Sequence, residues 1–277
     1  MNRGHELMLR GDEAGLVDAL QAYDEAIVLF RSLPVAENPS WANSFGAALM
    51  NRGQLLHRLY GVTLAALALT AFEEAETVLR PLQAGDSPWP RRNFAGTLVN
   101  RANLQLDLGH HAAASADASK ALLLAAPSER QEMVDADLAL KARRALGDAI
   151  GQLLVAPGAD QETLARQAGD IADDALALIR YWSGQSNPAF HVLALRFFRY
   201  GAQLYRFHQP HFLAEFIAEN LPPADPEFRA IARETIDAVL TDSRASGRIL
   251  TIGDPVSERR RQTWQDLDAL RSRLTQA

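Results

Sequence analysis

The stretch RSLPVAENPSWANSFGAALMNRGQLL (31–56) lies over RPLQAGDSPWPRRNFAGTLVNRANLQ (80–105) without a gap. Arg31 meets Arg80, Pro39 meets Pro88, Phe45 meets Phe94, and Asn51-Arg52 meets Asn100-Arg101. The offset is 49 residues, and MNRG at 50–53 also stands at 1–4, one such step upstream. Internal self-similarity at a fixed period is the mark of a repeat architecture, in which each unit buries its apolar face against the next.

The register carries onward. Gly53-Gln54-Leu55 becomes Ala102-Asn103-Leu104, then Gly151-Gln152-Leu153, then Ala202-Gln203-Leu204, at steps of 49, 49 and 51. A second pattern follows each small residue: Ala19-Tyr23-Ala26, Ala68-Phe72-Ala75, Ala114-Ala118-Ala121 and Ala168-Ala172-Ala175, all at i, i+4, i+7. That spacing places the residues on one helix face. Each unit therefore reads as a hairpin of two helices. Helix A carries the small-amide-Leu pattern and helix B the alanine ladder, whose small residues admit a close neighbour. Asn38-Pro39, Ser87-Pro88 and Asn187-Pro188 precede A helices as a polar cap and a first-turn proline. LGHH (108–111) and APGADQ (156–161) read as turns between A and B. No segment alternates with period two, so no sheet is expected; RILTIGDP (248–255) reads as a connector.

The third unit, LVNRANLQLDLGHHAAASADASKALLLAAP (98–127), resembles a tetratricopeptide repeat (TPR): Ala102 in helix A, Leu108-Gly109 at the turn, Ala114, Ala118 and Ala121-Leu122 in helix B, and Pro127 at the end. The second unit repeats this with Gly53, Ala68, Phe72, Ala75 and Pro81. The resemblance covers about residues 1–220, strongest over 40–127. The period exceeds the family's usual length, Ala118 replaces an aromatic, and 128–150 shows little of the pattern. The resemblance implies an all-α, right-handed superhelix of about four and a half stacked antiparallel helix hairpins. The TPR-like array would span 1–224. Two last helices, about 225–245 and 256–275, would cap it within the same domain. It also implies an inner, concave wall made of A helices, and a protein-binding role. The first copy begins partway through a unit, which implies either a short first helix or further chain upstream, and an apolar N-terminal end suited to homodimerisation.

The chain has 277 residues, 48% hydrophobic and 22% charged, a net charge of −6 and no cysteine. The composition is that of a folded protein. An acidic chain lacks the basic footprint of a general nucleic-acid binder. Zero cysteines exclude a disulfide framework, a cysteine metal site and a thiol nucleophile. The N-terminus has no apolar core of a signal peptide, and no run of about 18 uncharged apolar residues is present, so no membrane span is expected and the chain reads as cytoplasmic.

Two sets of residues are candidates for binding. In helix A, Asn51 lies about 200° around from Gly53, so it points away from the helix B of its own hairpin. It shares a stripe with Gln54 and Arg58, and one period on the stripe is Asn100, Asn103 and Asp107. Amides offer donors and an acceptor to an extended peptide backbone. The same stripe could instead be a solvated face or a polar rung between repeats. The second set is Arg196, Arg199, Gln203 and Arg206, at i, i+3, i+7, i+10, within AFHVLALRFFRYGAQLYRF (189–207). Residues 175–214 contain four arginines, three histidines and no acid. Guanidinium forks grip carboxylates, so an acidic peptide or C-terminus suits this stripe. Pairing with Asp170, Asp173 or Asp174 is the internal alternative.

Catalytic patterns are absent: no phosphate loop, no His-Glu-x-x-His, no nucleophile elbow. His208 and His211 flank Pro210, which breaks the helix that would align them on a metal. The expectation is therefore a protein–protein interaction scaffold with no enzymatic activity, cofactor or metal. It would bind another protein or a peptide. An assembly subunit joined through the array ends, a helical-repeat enzyme or small-molecule sensor, and an RNA binder are the rival readings.

Overall fold

The computed structural model describes residues 2–10, 12–158, 160–183, 195, 198–199, 202, 213–220, 225–245 and 255–276. Among them there is no strand. The helices are α1 (Asn2–Arg10), α2 (Glu13–Arg31), α3 (Pro39–Tyr60), α4 (Ala65–Leu79), α5 (Pro88–Asp107), α6 (His111–Ala125), α7 (Met133–Leu154), α8 (Gln161–Ser183), α9 (Leu213–Asn220), α10 (Pro226–Ala245) and α11 (Pro255–Gln276). The chain divides into two compact units, Met1–Ala149 and Ile150–Ala277, with the division inside α7. The boundary expected at 224/225 lies within the second unit.

Helix ends follow their capping chemistry. Asn38 accepts from the backbone N–H of Ser40 at 3.0 Å and of Trp41 at 3.2 Å, and Pro39 occupies the first turn of α3. Ser87 begins α5 without a side-chain cap, so there the fixed φ of Pro88 acts alone. Asp12, Asp160 and Asp225 cap α2, α8 and α10 in the same way as Asn38. Asn187-Pro188 lies outside the described residues. The A-to-B turns carry glycines in the left-handed region, Gly61 at φ 55, Gly109 at φ 75 and Gly158 at φ 78. Adding a β-carbon there strains the backbone. Gly109→Ala, where no neighbouring atom obstructs the new methyl, is expected to cost about 1 kcal/mol from backbone strain alone, read by urea denaturation.

In the first unit, α1 packs on α2, α3 on α4 and α5 on α6, and successive hairpins meet through α2 on α3, α4 on α5 and α3 on α5. The 49-residue period is thus one hairpin, and α1 takes the A-helix place in the copy that holds Gly4. Leu16, Tyr23, Ile27, Phe45, Leu49, Leu55, Leu79, Phe94 and Leu98 form the main core, and Leu56, Phe72 and Leu104 a second cluster. Each such fully buried large side chain contributes about 1.5–3 kcal/mol.

The meaning of the repeated glycine is steric. A β-carbon on Gly53 would stand 2.5 Å from Cε1 of Phe72 on α4, and one on Gly4 would stand 2.9 Å from Cζ of Tyr23 on α2. In the third hairpin, Ala102 stands where Gly53 does and Ala118 where Phe72 does, both fully buried. The A helix gives up a methyl where the B helix carries a ring. The fourth copy departs from the expectation: nothing lies within 4 Å of a β-carbon on Gly151, so that glycine marks no close approach.

Pro39–Ala84, with a mean hydropathy of 1.5 over its most apolar window, is long and apolar enough by length and composition to cross a membrane, which corrects the expectation of no such stretch. The chain reverses inside it at Gly61, and α3 and α4 pack face to face.

In the second unit, α10 and α11 fall where the two last helices were expected and pack against each other, and α9 packs on α11. Phe198 is fully buried, with its ring 5.7 Å from Phe216 on α9 and 5.0 Å from Phe228 on α10. Residues 248–254 of the expected connector lie outside the described residues.

Candidate binding surface on the A helices

Helices α3 and α5 are the A helices of successive hairpins, and side-chain bonds join α3 to α5 and α5 to α7. Asn93 donates to Asn43 at 2.9 Å. Nε2 of His57 lies 2.7 Å from Oδ2 of Asp107. Arg144 donates to Oδ1 of Asn103 at 2.8 Å. Asn51 donates to the phenol oxygen of Tyr23 on α2 at 3.0 Å. Burial pushes the Tyr23 hydroxyl above its usual pKa, and the Asn51 bond opposes that rise. Of the six expected helix-A residues, Asn51, Asn103 and Asp107 are therefore rungs between helices. Asn51 turns from its own hairpin partner as the helical geometry requires, but the helix B of the preceding unit lies on that side. Gln54, Arg58 and Asn100 make no side-chain hydrogen bond among the described residues, with Arg58 exposed and the two amides half-buried. Tyr23→Phe makes the first hairpin resemble the second, which has Phe72 at this place, and leaves the Asn51 amide without its acceptor. The expected loss is about 1 kcal/mol in chemical denaturation.

Of the basic stripe, Arg199 is described and exposed. Arg196, Gln203 and Arg206 lie outside the described residues, as do His191, His208 and His211. No group of three or more His, Cys, Asp or Glu able to hold a metal occurs among the described residues.

The arginine of the repeated NRG/NRA, which the sequence showed only as a register mark, does the most electrostatic work. Nε and Nη2 of Arg101 donate to the two carboxylate oxygens of Asp117 on α6, each at 2.7 Å, and its Nη1 donates to Glu76 on α4 at 2.7 Å. Glu76 also receives Arg80 and, at 3.1 Å, Lys120. Burial pushes the Glu76 carboxyl up, but its bonds to Arg80, Arg101 and Lys120 outweigh that and hold it at about 2. Asp117 raises the Arg101 guanidinium further above its already high value. The cluster ties α4, α5 and α6 together. A carboxyl held at about 2 against an ordinary 4.5 contributes stability that is complete above about pH 4.5 and is lost as pH falls toward 2. Urea midpoints measured from pH 5 down to 2.5 are expected to fall steeply for the native chain. They should fall less steeply for Glu76→Gln, which starts about 1.5–3 kcal/mol lower.

No protein-family model matches the chain, and no curated protein matches it. Among solved structures, the chain is similar to the crystal structure of BtubC (BKLC) from P. vanneervenii, with a TM-score of 0.53, 15% sequence identity, and coverage of 94% of this chain and 90% of that one. That likeness is one of fold: an all-α chain of sequentially packed helices.

Proposed function

We propose that the protein is a TPR-like adaptor that binds a peptide or protein segment along its A helices. The fold supports this reading by placing α3 and α5 side by side. The single observation that carries it is that Gln54, Arg58 and Asn100 stay outside the internal bonding that engages their neighbours Asn51, Asn103 and Asp107. Donor and acceptor groups held in register on adjacent helices suit the backbone of an extended segment. The basic stripe around Arg199 extends the proposal to an acidic segment. Neither set calls for a cofactor, and a protein partner rather than nucleic acid fits the net charge of −6.

The test is capture of partners by the native chain, by Arg58→Glu with Asn100→Ala, and by Arg199→Glu, each checked for native circular dichroism. A partner held by the native chain and lost by the first variant supports the A-helix wall. Loss with Arg199→Glu alone places the contact on the second unit. Retention by every variant moves binding to the ends or edges of the array and overturns the reading.

A further inference from the structure

The Arg101 cluster has a counterpart one repeat upstream, and there the internal carboxylates are missing. Arg52 stands 49 residues before Arg101, and Arg31 the same distance before Arg80. At the place of Glu76, α2 has Ile27. At the place of Asp117, which directly precedes Ala118, α4 has Ala71, which directly precedes Phe72. Ile27 and Ala71 both line a cavity of about 270 Å³ between α2, α3 and α4, together with Arg52, Arg31 and Leu49.

The arginine survives where its partners do not. Nε of Arg52 donates to Asp24 at 2.6 Å, and its two terminal amino groups meet no acceptor among the described residues. All three donor nitrogens of Arg101 are engaged. The charged groups around the cavity are Arg31, Arg52, Asp24 and Glu74. Both carboxylates are already compensated, Asp24 by Arg52 and Glu74 by Arg31 at 2.8 Å. What remains free is the outer edge of one guanidinium, in a cavity lined by the buried Ile27, Leu49 and Ala71 and by the exposed Val28. A planar fork of N–H donors matches a carboxylate in two-point contact.

We propose that this cavity binds a carboxylate carried on a short aliphatic body, held by the two terminal amino groups of Arg52 in place of the carboxylates that Glu76 and Asp117 supply at Arg101. The site lies between two B helices, apart from Gln54, Arg58 and Asn100, and does not depend on the adaptor reading. The volume admits a few-carbon acid or the side chain of a glutamate, and the two share the recognising chemistry.

The experiment titrates the full chain with butyrate, with butyramide and with an end-capped tetrapeptide holding one glutamate. The Arg52 Nε–H resonance and isothermal calorimetry provide the readouts. Ala71→Asp restores the internal carboxylate and Arg52→Gln removes the fork. Butyrate or the peptide is expected to bind in the millimolar range and butyramide at least tenfold more weakly. Ala71→Asp and Arg52→Gln should each lose at least a tenfold factor, and Ala71→Asp should raise the thermal midpoint. Butyrate binding without the peptide assigns the site to a free acid; the peptide binding without butyrate assigns it to a partner's side chain. No binding of either acid, equal binding of butyramide, or binding unchanged in both variants overturns the proposal. Because Arg58 is untouched, failure here leaves the A-helix reading standing, and failure there leaves this one.

Discussion

Phe72→Ala is expected to destabilise the first unit by about 3–5 kcal/mol, and Gly53→Ala by about 1–3 kcal/mol. Combined, they should cost less than their sum. The ring of Phe72 is fully buried, and its removal leaves a cavity between α3 and α4. The new methyl in Gly53→Ala would stand 2.5 Å from that ring, closer than carbon atoms tolerate, so a packed helix pair must part. Alanine's better helix propensity returns only about 1 kcal/mol of this. Once the ring is gone, the methyl fills part of the hole, and the double variant recreates the pair of buried alanines, Ala102 and Ala118, that stand at these places in the third hairpin. A double-mutant cycle by urea denaturation should therefore give a favourable coupling of about 1–3 kcal/mol. Additive losses would mean that the glycine and the ring are not packing partners. The same logic explains MNRG at both 1–4 and 50–53: Tyr23 and Phe72 are the rings that face these glycines, and Gly4 and Gly53 are the residues that make room for them.

That pairing shows where the sequence was legible. Small residues at fixed phase, proline and asparagine at helix starts, and glycine at turns are local signals. From them the helices, the hairpins and the 49-residue unit follow, and α1 to α8 stand where the repeat puts them. The surface was harder to read because helical phase says which way Asn51 points, not what waits there. The answer depended on how far α2 reaches over α3, which only packing decides, and Asn103 and Asp107 were turned into rungs for the same reason. The ion clusters had a sequence signal that went unused. Arg52 and Arg101 repeat as faithfully as the glycine, while their carboxylate partners come from helices 16 to 28 residues away in the chain. An arginine recurring at one phase of successive A helices was the cue to look for them. The fourth copy, Gly151-Gln152-Leu153, marks only the last turn of α7, because 128–150 shows little of the pattern. The packing face there is a run of alanines, Ala136, Ala139, Ala142, Ala145 and Ala149, all fully buried.

Asp135→Asn is expected to cost about 3–5 kcal/mol, because it leaves an arginine buried without its counter-charge. Asp135 is 1% exposed and Arg92 9%. Nε and Nη2 of Arg92 donate to the two oxygens of Asp135 at 2.9 and 3.1 Å, and Arg91 adds a contact at 3.4 Å. The pair is the joint between the start of α5 and the start of α7. Here the sequence shows little repeat pattern and packing must be specified by charge. Burial pushes the Asp135 carboxyl up, but the bond from Arg92, the Ser128 hydroxyl and the nearby positive charges together hold it below the usual range. Its contribution is therefore complete above the ordinary carboxylate range and is lost as pH falls through the depressed folded value. Asparagine keeps the shape but carries no charge, so Arg92 retains the Trp89 ring and, as counter-charge, Glu132 at 3.5 Å on the exposed side. The expected readouts are a lower urea midpoint and faster amide exchange at the first turns of α7. The native loss of stability below pH 4 should be diminished in the variant. Arg92→Met with Asp135→Leu should recover most of the stability, since an apolar pair of similar volume avoids desolvating two charges. If the single variant matches the native chain, this pair does not hold the joint between α5 and α7.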